Sequence, residues 1–242
     1  MDTLVLLPTY NNAGTLPDVL ERTLAQGLPV MVVDDGCTDQ TQEVLSRYPQ
    51  VQVLRHSANK GKGVALKTGF EAARKQGYRY VLTLDSDGQH FPEDIPALLA
   101  AKSPGTLVVG SRNIAAEGMA GSSSFANKFS NFWFSLYTWT HLPDTQTGYR
   151  LYPLAELPWL GLLSARYEAE LTLLVFSAWK GIKLVPVPVK VAYPEDRVSH
   201  FRPGPDFTRI SVLNTILLFV ALVYGYPRML FRRIFHKQKV SH

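Results

Sequence analysis

The sequence predicts an α/β fold, a mostly parallel sheet flanked by helices, followed by a hydrophobic C-terminal helix that associates with a membrane. Three patterns predict it. Short apolar runs alternate with amphipathic stretches through the first half of the chain, as in successive βαβ units. Polar or glycine-rich clusters follow the first four runs, at the place where open α/β sheets bind ligands. Near the C-terminus the charge-free stretch Val212–Tyr226 leads into a basic tail with apolar insertions.

The elements follow in order. Thr3–Leu7 is continuously apolar after its first residue, as suits a strand buried on both faces. It leads into Pro8-Thr9-Tyr10-Asn11-Asn12 and a helix near 16–26. Val30–Val33 is a second such run, followed by Asp34-Asp35-Gly36-Cys37-Thr38-Asp39 and a helix near 39–48. Val51–Leu54 precedes Asn59-Lys60-Gly61-Lys62-Gly63, which opens a helix over 62–76. Tyr80–Leu84 ends in Asp85-Ser86-Asp87, and a helix near 93–101 leads to a fifth strand, Leu107–Val109. A later strand is predicted over Leu184–Val189. Because the strands are parallel, all four polar clusters face one edge of the sheet.

Composition narrows the function. The net charge of +5 is uneven, since residues 197–242 carry eight Lys or Arg against one acidic residue. Such asymmetry points to a polyanion, either a phosphate or an anionic membrane surface. Zinc-ligand spacing and aromatic RNA-binding strands are missing, so nucleic acid is not an expected partner. Cys37 is the single cysteine, which excludes a disulfide framework and reads as a small filler. No basic n-region precedes the first strand, so no cleaved signal peptide is expected and the catalytic part is expected to be cytosolic. The chain lacks the P-loop pattern and the Gly-x-Gly-x-x-Gly of dinucleotide-binding folds.

The cluster after the fourth strand carries the chemistry. Asp85 and Asp87 are hard oxygen donors that suit Mg²⁺ or Mn²⁺ shared with substrate phosphates, although Asp also caps helices readily. Lys62 stands where a helix begins, and free N–H groups there favour anions.

Six motifs occur in sequence: Pro8–Asn12, Val33-Asp34-Asp35-Gly36-x-Thr38-Asp39, Asn59-x-Gly61-Lys62-Gly63, Asp85-x-Asp87-Gly88-Gln89-His90, Gly110-Ser111-Arg112 and Asp144-Thr145-Gln146-x-Gly148-Tyr149-Arg150. Together they resemble a family 2 glycosyltransferase of the GT-A fold, in particular the dolichyl- or polyprenyl-phosphate mannose and glucose synthases, over roughly residues 3–202. The resemblance implies that Pro8, Tyr10, Asn12, Val33 and Asp35 line the nucleotide pocket. Lys62, Asp85 and Ser86 join the nucleotide-sugar site. Asp85, Asp87 and Gln89 would hold a divalent cation on the donor diphosphate. Arg112 and Arg150 would face an acceptor phosphate, while Arg197 and Arg202 belong to a basic loop closing over the diphosphate. Asn12 departs from the family pattern, which commonly has Glu there. Should the acceptor be a hydroxyl, Asp144 or Glu168 would be the base.

Two hydrophobic segments bear on the acceptor. Phe125–Leu142 is dense in Phe, Trp and Tyr, as suits a membrane interface or a core helix. Within Ile210–Phe231 the consecutive uncharged residues run only from Ile210 to Pro227, eighteen residues, fewer than the roughly 20 of a full span. A span from a cytosolic domain would also place the basic tail outside, against the positive-inside tendency. The expectation is an in-plane, monotopic anchor, with a core helix or dimer interface as the alternative. Residues 1–205 are read as the catalytic domain and 206–242 as the membrane-associating part. The predicted reaction is inverting, metal-dependent transfer of a hexose from a nucleoside-diphosphate sugar to polyprenyl phosphate at the cytoplasmic membrane face. The alternatives are transfer to a hydroxyl of a lipid, pigment or envelope polymer, and a non-catalytic membrane adaptor.

Overall fold

The apolar runs pair into one seven-stranded sheet. The computed structural model describes residues 1–112, 121–158, 160, 168–192 and 203–240, with backbone alone at 121–125, 203–210 and 235–240. The strands are β1 Thr3–Thr9, β2 Val30–Asp34, β3 Gln52–Arg55, β4 Tyr80–Thr83, β5 Thr106–Arg112, β6 Arg150–Pro153 and β7 Lys183–Val189. Their spatial order is β3-β2-β1-β4-β6-β5-β7. All are parallel except β6, which runs antiparallel between β4 and β5. That strand is an addition to the sequence reading, because Arg-Leu-Tyr-Pro is short and carries two residues that argue against a central strand. Its register, Thr83 opposite Arg150, brings the 143–149 loop to the edge where β4 ends.

Helices cover both faces of the sheet. They are α1 Leu16–Leu24, α2 Thr41–Ser46, α3 Lys62–Lys75, α4 Ile95–Ala100, α5 Gly121–Thr138 and α6 Glu168–Lys180. A 3₁₀ turn at Pro92–Asp94 precedes α4. Alternate strand residues separate the core into two layers. Leu4, Leu6, Met31 and Val33 meet Leu66 and Phe70 of α3 and Leu173 and Leu174 of α6. Val5, Leu7, Val30 and Val32 meet Leu16, Val19 and Leu20 of α1 and Ile95 and Leu98 of α4. Burial on both faces explains the unbroken apolar runs that the sequence shows.

The C-terminal hydrophobic segment belongs to a longer helical rod: α7 Pro203–Val220, a π-helical turn Ala221–Gly225, and α8 Tyr226–Val240. Ser211–Ile234 is long and apolar enough to cross a membrane by length and composition. One side of it, however, is docked on the domain. Asn214, Leu217, Ala221, Gly225 and Met229 are buried. Three successive steps of four residues overshoot the 3.6-residue period of an α-helix. The wider π turn takes up that excess and keeps the stripe on one side. Gly225 is required there, since a Cβ would lie 2.4 Å from Cε2 of Trp179. Hydrogen bonds fix the same side: Tyr137 donates its hydroxyl to the Asn214 carbonyl at 3.0 Å, and Tyr226 donates to the Leu136 carbonyl at 2.9 Å. Arg228 Nε donates to the Trp179 carbonyl at 3.2 Å. The opposite side leaves Val212, Ile216, Phe219, Leu222, Val223 and Phe231 exposed.

Candidate active site

The carboxyl ends of β1 and β4 are tied together by Ser86. Asn12 Nδ2 donates to Ser86 Oγ at 2.9 Å, and that hydroxyl donates to the Pro8 carbonyl at 3.1 Å. Thr15 Oγ1 donates to the Ser86 carbonyl at 2.7 Å. Pro8 is therefore a buried strand residue that acts through its carbonyl, whereas Tyr10 and Asn12 are half-buried at the rim. Asn11 adopts a positive φ of 53° and accepts the Thr38 N–H at 2.8 Å, which joins the loops after β1 and β2.

Two expected nucleotide contacts are corrected here. Val33 is 0% exposed and packs in the core, because strand alternation turns its side chain toward α3 and away from the loop edge. Asp35 is also buried, and its carboxylate is engaged on both oxygens. Oδ1 meets His56 Nδ1 at 2.6 Å and accepts the Lys60 N–H at 3.0 Å, while Oδ2 accepts the Gly61 N–H at 2.7 Å. Its observed work is to pin the loop that opens α3.

Asp85 and Asp87 flank Ser86 and are both half-buried. Asp87 Oδ1 accepts the Gln89 N–H at 3.0 Å, closing a turn in which Gly88 has φ 75°. The Gln89 carbonyl in turn accepts the Ala192 N–H at 2.8 Å, so the chain beyond β7 passes beside this turn. Asp85 lies against Gly148, where a Cβ would fall 2.5 Å from Oδ2. The carboxylates of Asp85 and Asp87 and the amide oxygen of Gln89 are hard donors of the kind that Mg²⁺ or Mn²⁺ takes. Among the described residues, no group of three or more His, Cys, Asp or Glu is gathered as a metal cluster.

Lys62, expected on an anion, instead bridges two carboxylates. Its Nζ is 2.7 Å from Asp85 Oδ1 and 2.8 Å from Glu170 Oε2. Burial alone would lower its pKa, but the two carboxylates hold it above the ordinary lysine value. Burial acts in the opposite sense on Asp85, and the Lys62 charge holds that carboxyl below its usual range. Glu170 did not emerge from the sequence. It sits in the first turn of α6 two residues past Glu168, and only the packing of α3 on α6 reveals its partner.

The two arginines have different fates. Arg112 binds Asp144 through both prongs of its guanidinium, Nε to Oδ2 at 2.5 Å and NH2 to Oδ1 at 2.9 Å, and stays 12% exposed. Asp144 is 0% exposed and bidentately paired, a poor setting for the general base considered above. Arg150 does not face an acceptor phosphate. It is fully buried, donating to the Glu170 carbonyl at 2.8 Å and the Thr145 carbonyl at 2.9 Å. Arg197 and Arg202 lie outside the described residues.

A mostly parallel seven-stranded sheet flanked by helices, with one antiparallel strand, is the GT-A arrangement. The model of glycosyl transferase family 2 matches residues 4–152, and the chain belongs to that family; it is a glycosyltransferase. An undecaprenyl-phosphate mannosyltransferase from Micrococcus luteus is 32% identical over 203 residues, covering 78% of this chain and 83% of that protein. A polyprenol monophosphomannose synthase from Mycolicibacterium smegmatis is 29% identical, covering 81% and 80%. Among solved structures, mannosyl-3-phosphoglycerate synthase from Rubrobacter xylanophilus shares the fold, with TM-score 0.63 and 18% identity over 96% of this chain and 75% of that one.

Two outcomes follow from this geometry. Gly148→Ala places a methyl group against Asp85 and is expected to lower sugar transfer by about 100-fold, the scale of a misplacement near 1 Å, with the unfolding midpoint serving as the control for folding. The His90 imidazole is pushed down to about 4, chiefly by burial. Its folded pKa thus lies below the unfolded value of ~6.5, so its contribution to stability is complete above the unfolded value and is lost as pH falls toward the folded one. Denaturant unfolding between pH 7 and 4.5 should show a shallower loss of stability in His90→Gln than in the wild type.

Proposed function

We propose that the enzyme transfers a hexose from a nucleoside-diphosphate sugar to polyprenyl phosphate at the cytoplasmic membrane face, with inversion at the anomeric carbon. The observation that carries this reading is the two-sided character of α5. One side holds the loop of Asp144: Asn127 and Asn131 both donate to the Pro143 carbonyl, at 3.3 and 2.7 Å, and Asn131 Oδ1 accepts the Thr145 N–H at 3.0 Å. The other side exposes Phe129, Phe132 and Leu136. A lipid whose phosphate enters the site and whose chain stays in an apolar phase needs both sides. The relatives named above, a mannosyltransferase and a monophosphomannose synthase acting on polyprenyl carriers, favour the same acceptor and favour mannose as the hexose.

The residues divide the work. Asn12 and Tyr10 border the nucleotide pocket, with Ser86 fixing the loop between them and the carboxylates. Asp85, Asp87 and Gln89 would hold Mg²⁺ or Mn²⁺, which when bound acts as a Lewis acid on the leaving diphosphate. An oxygen of the acceptor phosphate attacks the anomeric carbon as the carbon–oxygen bond to the nucleoside diphosphate breaks. That nucleophile is already anionic, so positioning and charge balance replace a general base. We assign Arg112, oriented by Asp144, to the acceptor phosphate, and Arg197 and Arg202 to the donor diphosphate.

The exposed side of the C-terminal rod supports attachment in the membrane plane. Its other side is docked on α5 and α6 from Asn214 to Arg228, so crossing the bilayer would carry the domain with it. Arg232 and Arg233 follow close to the exposed Phe231 and Leu230, where each cation near anionic headgroups contributes about 1 kcal/mol.

Incubation of the detergent-purified protein with labelled GDP-mannose, UDP-glucose or UDP-N-acetylglucosamine, undecaprenyl phosphate and Mn²⁺ should yield an acid-labile lipid product. EDTA and Asp87→Ala should each abolish it. Transfer only to a hydroxylated lipid would sink the phosphate acceptor, and full activity in EDTA would sink the cation. For the membrane face, the Phe132→Glu/Phe219→Glu variant should stop sedimenting with phosphatidylglycerol vesicles while still binding donor. Unchanged sedimentation would place the membrane contact elsewhere.

A further inference from the structure

Lys62, Asp85 and Glu170 form a bridge that the predicted reaction does not explain. Their side chains are 17%, 23% and 9% exposed, so an ammonium and two carboxylates share a largely dry space. Asp85 is also a donor of the proposed cation set. An ammonium has three N–H donors and no acceptor, so on Asp85 Oδ1 it takes a lone pair that a metal ion would also use. A divalent cation on Asp85 would also repel Lys62 at close range. The bridge and a cation bound through Asp85 Oδ1 therefore compete.

The second carboxylate decides what happens to the lysine. An ammonium released from Asp85 with no other partner would be a buried, unpaired charge, which is strongly unfavourable. Glu170 removes that penalty, because it already holds Nζ at 2.8 Å. It also has spare capacity: Oε1 is buried and has no hydrogen-bond partner among the described residues. Lys62 can turn its donors toward Glu170 without leaving the pocket. The backbone around Glu170 is fixed, since Arg150 NH1 donates to its carbonyl at 2.8 Å.

We infer that Glu170 is a positioning residue that takes over Lys62 when a cation binds, so that Lys62 neutralises Asp85 in the ligand-free enzyme and gives it up to the metal. The inference rests on reading Asp85, Asp87 and Gln89 as the cation site. Lys62 thereby sets the affinity of the empty site for metal, and Glu170 sets how readily Lys62 leaves.

Mn²⁺ binding to the full-length protein without nucleotide, followed by the electron paramagnetic resonance signal of free Mn²⁺, tests this. Glu170→Gln should weaken binding about tenfold, the scale of one charge-assisted hydrogen bond retained at Asp85, and Glu170→Asp should restore most of it. Lys62→Met should tighten binding by a similar factor. The Lys62→Met/Glu170→Met variant removes the bridge and leaves Asp85 as its one remaining carboxylate, free of lysine, and should also tighten binding; this variant decides the matter if Glu170→Gln does not fold. Equal affinity in wild type, Glu170→Gln and the double variant would overturn the bridge while leaving the cation site intact. Absence of Mn²⁺ binding in wild type, or binding that survives Asp87→Asn, would overturn the cation site itself and the bridge with it.

Discussion

Charge compensation at the carboxyl edge of the sheet is the constraint on which the site depends. Four acidic side chains, Asp35, Asp85, Asp144 and Glu170, are drawn into that edge with little exposure. Left unpaired, a buried charge of this kind costs several kcal/mol, and breaking such a pair typically costs about 3–5 kcal/mol. Each is answered locally. Lys62 lies between Asp85 and Glu170, Arg112 grips Asp144, and Asp35 is held by His56 and two backbone N–H groups. The acidic edge is therefore held in place by the chain's own groups.

This arrangement depends on topology. Parallel strands β1 to β4 deliver their following loops to one side, and the single antiparallel strand β6 returns the 143–149 loop to the same side. Gly148 rests against Asp85 only because β6 pairs with β4 in this register. Arg150, in the same strand, has its guanidinium bound by the carbonyls of Thr145 and Glu170. It thus ties the 143–149 loop to α6, which is a structural use of the charge expected to meet a phosphate.

The frame was legible in the sequence and the partners were not. The starts of β1 and β2 and the start of α3 follow from period and glycine placement, because burial on both faces leaves an unbroken apolar signature. Motif resemblance singled out Asp85, Asp87 and Arg112, which follow or end strands at the carboxyl edge of the sheet, but it fixes a position along the chain and not the direction of a side chain. Val33 shows the difference: alternation along β2 sends it into the core although its neighbour leads into the loop. Glu170 was illegible because its meaning lies in a contact between α3 and α6, separated by about a hundred residues in sequence. β6 was missed because four residues with an arginine and a proline do not carry the signature of a central strand.

The exposed apolar surface and the Asp144 loop are coupled through α5. A helix has neighbours at i, i+3 and i+4 on one face, so Asn127 and Asn131 share the side that holds Pro143. Phe129, Phe132 and Leu136 are rotated away from it. The C-terminal rod extends the exposed side and is locked to α5 by Tyr137 and Tyr226, with Trp139 stacked on Tyr226 at 5.0 Å. A shift of α5 would therefore move the Asp144 loop, and with it the bidentate hold on Arg112. The exposed apolar side chains of α5 and the position of Arg112 are in this way one mechanical variable, because the same helix carries both the exposed face and the hold on the Asp144 loop.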